Sequence, residues 1–243
     1  MSPFANEVIE VVLEEKVAMV TTSAGDSGNY IPRFKQAGIK VMPVVGSVAL
    51  AKRLERTGAD AIVAEGMESG GEIGETTTIV LVPQVVDSVR IPVVAAGGIG
   101  DGRGLATALA LGAQGVQMGT RFICSDECIA HLRYKEKILK AGDRSTVITG
   151  QSMGNAVRCL QNRLTRQFLA MERAGASKEE LDLFGRGRMY LGLIEGDIDE
   201  GSLLSGQIAG LMKEVKPVRA IIEEMVAEAE AIIASLKNLH REG

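Results

Sequence analysis

Between residues 17 and 122 one unit returns five times: a short run rich in β-branched residues, a loop carrying Gly, Ser or Asp, then an amphipathic stretch of helix length. The five runs are VAMVTT (17–22), IKVMPVV (39–45), ADAIVAE (59–65), IPVVAAG (91–97) and GVQMG (115–119). The stretches between them, such as SVALAKRLERTG and GRGLATALALG, carry the 3.6-residue period of a helix. Runs this continuously apolar are covered on both faces, which requires a parallel sheet with right-handed crossovers. Either an open doubly wound sheet or a barrel satisfies that pattern.

With 46% hydrophobic residues in 243, the chain has enough apolar material for one α/β barrel or for one to two smaller domains. A net charge of −4 leaves no broad basic surface, so nucleic acid is not an expected partner. No uncharged stretch reaches the roughly 18 residues that a membrane span needs, and MSPFANEVIE lacks the basic and apolar regions of a signal peptide. A cytoplasmic location follows as the expectation. Cys124, Cys128 and Cys159 are odd in number, which points to reduced thiols rather than a disulfide framework. CSDECIAH, ending at His131, supplies too few ligands in a helix-like segment, so structural cysteines are expected and no metal.

After residue 123 the βα rhythm stops and the pattern becomes mainly helical. SDECIAHLRYKEKILKAG reads as a helix, TVITG as a short run, and GNAVRCLQNRLTRQFLAMERAG as a basic stretch. ASKEEL carries a capping box that starts a helix near Ser177. PVRAIIEEMVAEAEAIIASLKNL reads as a long amphipathic helix with Pro217 at its first turn. The expected organisation is a barrel portion over 1–123, a helical elaboration over 124–200, and a loop with a C-terminal helix packing back over 201–243.

Two adjacent strand ends carry the sharpest chemical signal, PVVAAGGIGDGRG with Gly97 and Gly98, and GVQMGTRF with Gly119 and Thr120. Backbone amides at such turns, with the positive end of a following helix, bind phosphate, and in eight-stranded barrels the loops after strands seven and eight do so. The same glycines also suit plain tight βα turns. GIGDGRG approaches a dinucleotide fingerprint but has Arg103 at the last glycine position. Glu65 ends the third run, where a carboxylate accepts hydrogen bonds from sugar or ribityl hydroxyls or pairs with a neighbouring cation. Glu68 reads as a solvated loop charge. Ser205 and Gln207 open SGQIAG, where they cap a helix or reach a flat ring. His131 reads as surface or packing, and His240 as part of a polar tail.

The chain resembles the FMN-dependent enoyl-acyl-carrier-protein reductase II family, relatives of the nitronate monooxygenases. The likeness is carried by VTTSAG, MPVVGSVALAKR, GADAIVAEGMESGG, IPVVAAGGIGDGRG, GVQMGTRF, YKEKILKA, VITG and GSLLSGQIAGL, in family order, from near residue 2 to about residue 220. The resemblance implies a (β/α)8 TIM barrel that holds FMN, its phosphate on Gly97, Gly98, Gly119 and Thr120, with Glu65, Gly70, Gly71 and Gln207 around the rest of the flavin. It further implies reduction of 2-enoyl thioesters on acyl carrier protein by NADH or NADPH in fatty acid synthesis. Nitronate oxidation and flavin or phosphate binding without turnover are the alternative readings, and a homodimer is the assembly left open.

Two departures qualify what is carried over. Where the family has G-G-H-I-G, with a histidine over the flavin as acid or base, GMESGGEIG (66–74) has Glu72. Carboxylates titrate at about 4.3 and imidazoles at about 6.5, so a carboxylate in that place serves as a base rather than an acid at neutral pH. The family also has two βα units and most of a third strand ahead of the segment matching MSPF. At about 30 residues for a βα unit and its next strand, that is roughly 60 to 80 residues. The expectation is therefore an incomplete barrel, an open arc of about five parallel strands with long edges.

Overall fold

The computed structural model of the protein describes residues 5–23 and 27–238; MSPF, Ala24, Gly25 and Asp26 of the VTTSAG region, and His240 lie outside that range. In chain order the elements are α1 (Ala5–Glu14), β1 (Met19–Thr22), α2 (Ile31–Gln36), β2 (Lys40–Val45), α3 (Val48–Thr57), β3 (Ile62–Glu65), β4 (Gly71–Glu72), α4 (Thr78–Val86), β5 (Val93–Ala96), α5 (Gly102–Ala110) and β6 (Gly115–Gln117). There follow α6 (Thr120–Ile123), α7 (Leu132–Leu139), β7 (Thr146–Thr149), β8 (Val157–Leu160), α8 (Arg163–Arg173), α9 (Lys178–Gly185), α10 (Arg188–Leu193) and α11 (Val218–Asn238). They gather into two compact units. The first holds the chain up to Gly66, Gly74–Ala96 and Ala108–Gln117; the second holds Met67–Ile73, Gly97–Thr107 and the chain from Met118.

The first unit is built on a curled five-stranded parallel sheet in the order β1-β2-β3-β5-β6. All five apolar runs expected to form strands do so, and the sheet is the open arc expected of an incomplete barrel. Its central strands are covered on both faces: Val41, Val45, Ile62, Val63, Ala64 and Ala95 are fully buried or nearly so. Helix α3 begins where the Ser47 hydroxyl oxygen accepts from the Leu50 amide at 3.3 Å and ends at Gly58, whose φ of +105° is open to glycine at little steric cost. The register pairs Glu65 with Ala96 and Ala96 with Gln117. Three neighbouring strands thus end level with one another.

The second unit is less helical than the sequence pattern suggests. The basic stretch 154–175, in the region expected to be mainly helical, contains strand β8, and an antiparallel sheet forms in the order β4-β8-β7. VRCL is only four residues long and runs into a strongly helical sequence, so its strand character depends on its partners, the distant Gly71–Glu72 on one side and the nearby Thr146–Thr149 on the other. The helix expected over 125–142 is confined to Leu132–Leu139. Residues 125–131 are held in a loop by the buried Lys135, whose ammonium donates to the Ser125 carbonyl at 2.6 Å and the Cys128 carbonyl at 2.8 Å. The capping box at Ser177 and Glu180 forms as expected, and α11 starts directly after Pro217. A core of Tyr134, Ile138, Leu160, Leu203, Ile208 and Met212 binds this unit together.

Candidate functional site

Four loops of the second unit converge. The Met67–Glu72 segment is fixed first by its backbone: Gly71 and Glu72 pair with Arg158 and Val157, and the Ile73 amide donates to the Ala156 carbonyl at 3.0 Å. Arg158, 4% exposed, donates through Nε and Nη2 to the Met67 carbonyl at 3.1 and 3.0 Å and through Nη1 to Thr146 Oγ1 at 3.2 Å. Burial lowers its pKa, while attraction to the Glu68 carboxylate works against that shift.

The 205–207 segment presses onto the same loop. The Gln207 amide donates to the Glu68 carbonyl at 2.9 Å. A Cβ on Gly70 would lie 2.6 Å from the Gly206 nitrogen, and one on Gly206 would lie 2.6 Å from the Glu68 oxygen. Both positions are therefore glycine because two backbones touch there, which side chains would prevent. The Gly206 amide in turn donates to Thr120 Oγ1 at 2.9 Å, and that tie brings in the turn at Gly119 and Thr120. The fourth loop joins through Gly98, where an added Cβ would lie 3.4 to 3.7 Å from Glu68 side-chain atoms.

Gly70, Gly71, Gly98, Thr120 and Gln207 thus belong to one connected cluster, with Gly97 and Gly119 adjacent in the chain. Gly97 and Gly98 have φ of +86° and +70°, a turn that glycine adopts without strain. Thr120 is buried; since its oxygen accepts from Gly206, its hydroxyl hydrogen is left to donate elsewhere. Arg121 behind it donates to the Met212 sulfur at 3.3 Å and the Glu214 carbonyl at 3.2 Å. Glu65 stands apart at the end of β3 in the first unit, half-buried and level with Ala96. Gln207 exposes its side chain, so its fixed contribution is the backbone bond to Glu68.

Several readings change here. Glu68 is half-buried against Gly98 and attracted to Arg158. Ser205 does not cap the short 3-10 helix Gln207–Leu211; it is fully buried with its Oγ 3.4 Å from the Tyr134 hydroxyl, which donates to the Leu204 carbonyl at 2.6 Å. His131 caps α7, its Nδ1 accepting from the Arg133 amide at 3.1 Å. In GIGDGRG, Asp101 accepts from the amides of Arg103 at 3.0 Å and Gly104 at 3.3 Å, and Glu228 accepts from Gly102 at 2.7 Å. The first amides of α5 are occupied by carboxylates, so a dinucleotide cannot use them. Gly102 is glycine for helix packing, since a Cβ there would lie 2.5 Å from the Glu228 Cβ.

A phosphate fits best at Gly119 and Thr120. An added Cβ on Gly119 meets nothing within 4 Å, and among the described residues the Gly119 and Thr120 amides donate to no protein acceptor. The donor set there is two amides and a hydroxyl, the neutral donors that surround a phosphate without competing charge. Arg158 was missed by the sequence reading because an arginine in a basic stretch gives no signal of burial; its alternation with Val157 and Cys159 was the available clue. Among the described residues no cluster of three or more His, Cys, Asp or Glu is placed to hold a metal, and no helix is long and apolar enough to cross a membrane.

Known proteins of similar sequence and structure agree on the family. The structure of FabK from Thermotoga maritima matches with a TM-score of 0.95 and 48% identity, over 98% of this chain and 76% of that one. A Mycobacterium tuberculosis protein named (3aS,4S,5R,7aS)-5-hydroxy-7a-methyl-1-oxo-octahydro-1H-indene-4-carboxyl-CoA dehydrogenase is 31% identical over 93% of this chain and 75% of its own length. A Staphylococcus aureus protein named probable nitronate monooxygenase is 38% identical over 68% of this chain, which spans about half, 49%, of that relative. The family model described as nitronate monooxygenase matches residues 3–228, and the chain belongs to the nitronate monooxygenase family of oxidoreductases.

Proposed function

We propose that the chain binds FMN and, with NADH or NADPH as reductant, reduces 2-enoyl thioesters carried on acyl carrier protein. The observation that carries the reading is the convergence of the Gly97–Gly98 and Gly119–Thr120 turns with the Met67–Glu72 and 205–207 loops through bonds within one unit. Gly119, Thr120 and Gly98 would hold the phosphate, while Gly70, Gly71 and the Gln207 segment would lie along the rest of the flavin. The chemistry FMN supplies when bound is acceptance of a hydride from a nicotinamide and its delivery to the β-carbon of the thioester.

The chain's own residues set the electrostatics and the proton. Arg158 is a fixed cation behind the loop that carries Glu72, and it offsets the charge of Glu68. Glu72 is exposed on the edge strand, so water reaches it and the α-carbon takes its proton from solvent. A second reading is favoured by that same exposed carboxylate: a base that removes a proton from a nitroalkane, in keeping with the family's name.

NADH oxidation followed at 340 nm, with FMN added and either crotonyl thioester or 2-nitropropane as acceptor, tests the choice. The reductase reading expects NADH consumption that depends on the thioester. Turnover of 2-nitropropane with oxygen and no response to NADH would replace it with nitronate oxidation, and bound FMN with neither activity would leave a binding protein.

A further inference from the structure

The antiparallel sheet β4-β8-β7 has two faces with different neighbours. Arg158 and its partner Gly71 face the Met67 carbonyl. Glu72, Val157 and Thr149 form a row across the sheet, since Glu72 pairs with Val157 and Val157 with Thr149. Cross-strand partners share a face, and Cys159, two residues beyond Val157, shares it too. Val157, Thr149 and Cys159 line a cavity of about 510 Å³, together with Leu164 and Phe168 of α8 and Leu181 of α9. Glu72 stands at the edge of that face, one strand spacing, about 4.8 Å, from the row's first lining residue.

The lining defines what the cavity takes. Val157, Leu164, Phe168 and Leu181 give it apolar walls, and Asn155, Asp182 and Arg186 are among its polar lining. At the Gly150 turn the amides are taken: Gly150 and Ser152 both donate to the Glu172 carboxylate at 3.1 Å. At the mouth, the Arg188 guanidinium is engaged by Glu200 at 3.2 Å and lies over the Phe184 ring, 5.2 Å from its centroid. Cys159 is a neutral lining group, its thiol pushed up to about 11 by burial. The Gly150 turn and the Arg188 guanidinium are thus engaged within the protein, and the wall of Val157, Leu164, Phe168 and Leu181 suits a hydrocarbon group.

We infer that this cavity binds the aliphatic acyl group of the substrate, with the thioester end at Glu72. The inference rests on the thioester reading above and adds where the acyl group lies and what length it has. A methylene is close to a water in size, whose share of liquid volume is about 30 Å³, so a cavity of about 510 Å³ takes an acyl group of up to roughly 17 carbons. Chain-length preference is then set by α8, α9 and the β8 face.

The test is calorimetric titration of the full chain with butanoyl-, octanoyl- and dodecanoyl-pantetheine, with and without FMN. Burial of successive methylenes predicts about fourfold tighter binding for each carbon added from butanoyl through octanoyl to dodecanoyl. Val157→Phe and, at the cavity mouth, Met153→Trp are expected to remove the octanoyl gain while leaving butanoyl binding unchanged; thermal melts report whether each variant is folded. Affinity independent of chain length, or a gain that survives in both folded variants, overturns the inference even where FMN still binds. A chain-length gain without any FMN binding upholds the cavity and sinks the flavin reading instead.

Discussion

Gly70 and Gly206 lie backbone against backbone: a Cβ on the first would sit 2.6 Å from the nitrogen of the second. Nothing flexible stands in the way to yield, because the obstructing atoms are main chain. Gly70→Ala and Gly206→Ala are each expected to lower stability by about 2 kcal/mol or more, the upper part of the usual overpacking range. Urea unfolding checks this. A loss under about 0.5 kcal/mol, the level of an ordinary surface change, would mean that the two loops do not touch as described.

Arg158 holds the Met67 carbonyl with two donors and faces Glu68. Arg158→Met leaves that buried carbonyl without its charged donors and is expected to cost about 2 to 3 kcal/mol. Arg158→Lys keeps the charge but loses the forked donation, so it should recover part of the loss. Equal stability of Met and Lys variants would show that charge contributes nothing there.

Alkaline pH tests the buried thiols. Burial pushes Cys124 and Cys159 each up to about 11, while an unfolded chain releases a thiol proton at about 8.5. The unfolded state therefore binds fewer protons between those values, and stability falls as pH rises through that window while staying level below it. The two thiols together are expected to remove a few kcal/mol, on the order of 2 to 3 for each if fully shifted. Iodoacetamide at pH 8 should label the half-buried Cys128 in the folded protein and all three cysteines in urea. Rapid native labelling of Cys159 would contradict its burial.

Glu72 stands where the resembling family carries an imidazole. Glu72→His is expected to raise enoyl-thioester reduction by about tenfold or more, toward the lower end of what a placed acid or base supplies. The exposed position should tolerate the change without loss of stability. Equal turnover in the two forms would remove residue 72 from the proton-transfer step.

The parallel sheet was legible because each of its strands is a continuous apolar run bounded by turn residues, and Ser177 and Glu180 announced their helix by spacing alone. The strand Val157–Leu160 was hidden because its partner Gly71–Glu72 lies far away in sequence and its neighbours on the C-terminal side are strong helix formers. The glycines at 97, 98, 119 and 70 could be picked out as turn or close-approach positions. That Gly102 serves the packing of the last helix, and that Glu68 and Arg158 are drawn together, depends on tertiary neighbours that no local pattern encodes.

The central claim is that the Gly119–Thr120 corner receives a phosphate. Titration of the protein with FMN and with riboflavin, read by flavin fluorescence, separates that contact from ring binding. Tighter binding of FMN by about tenfold or more, equivalent to about 1.4 kcal/mol, is predicted, together with loss of the difference in Gly119→Asp. Equal affinity for the two flavins, or an FMN preference untouched by Gly119→Asp, would contradict the account.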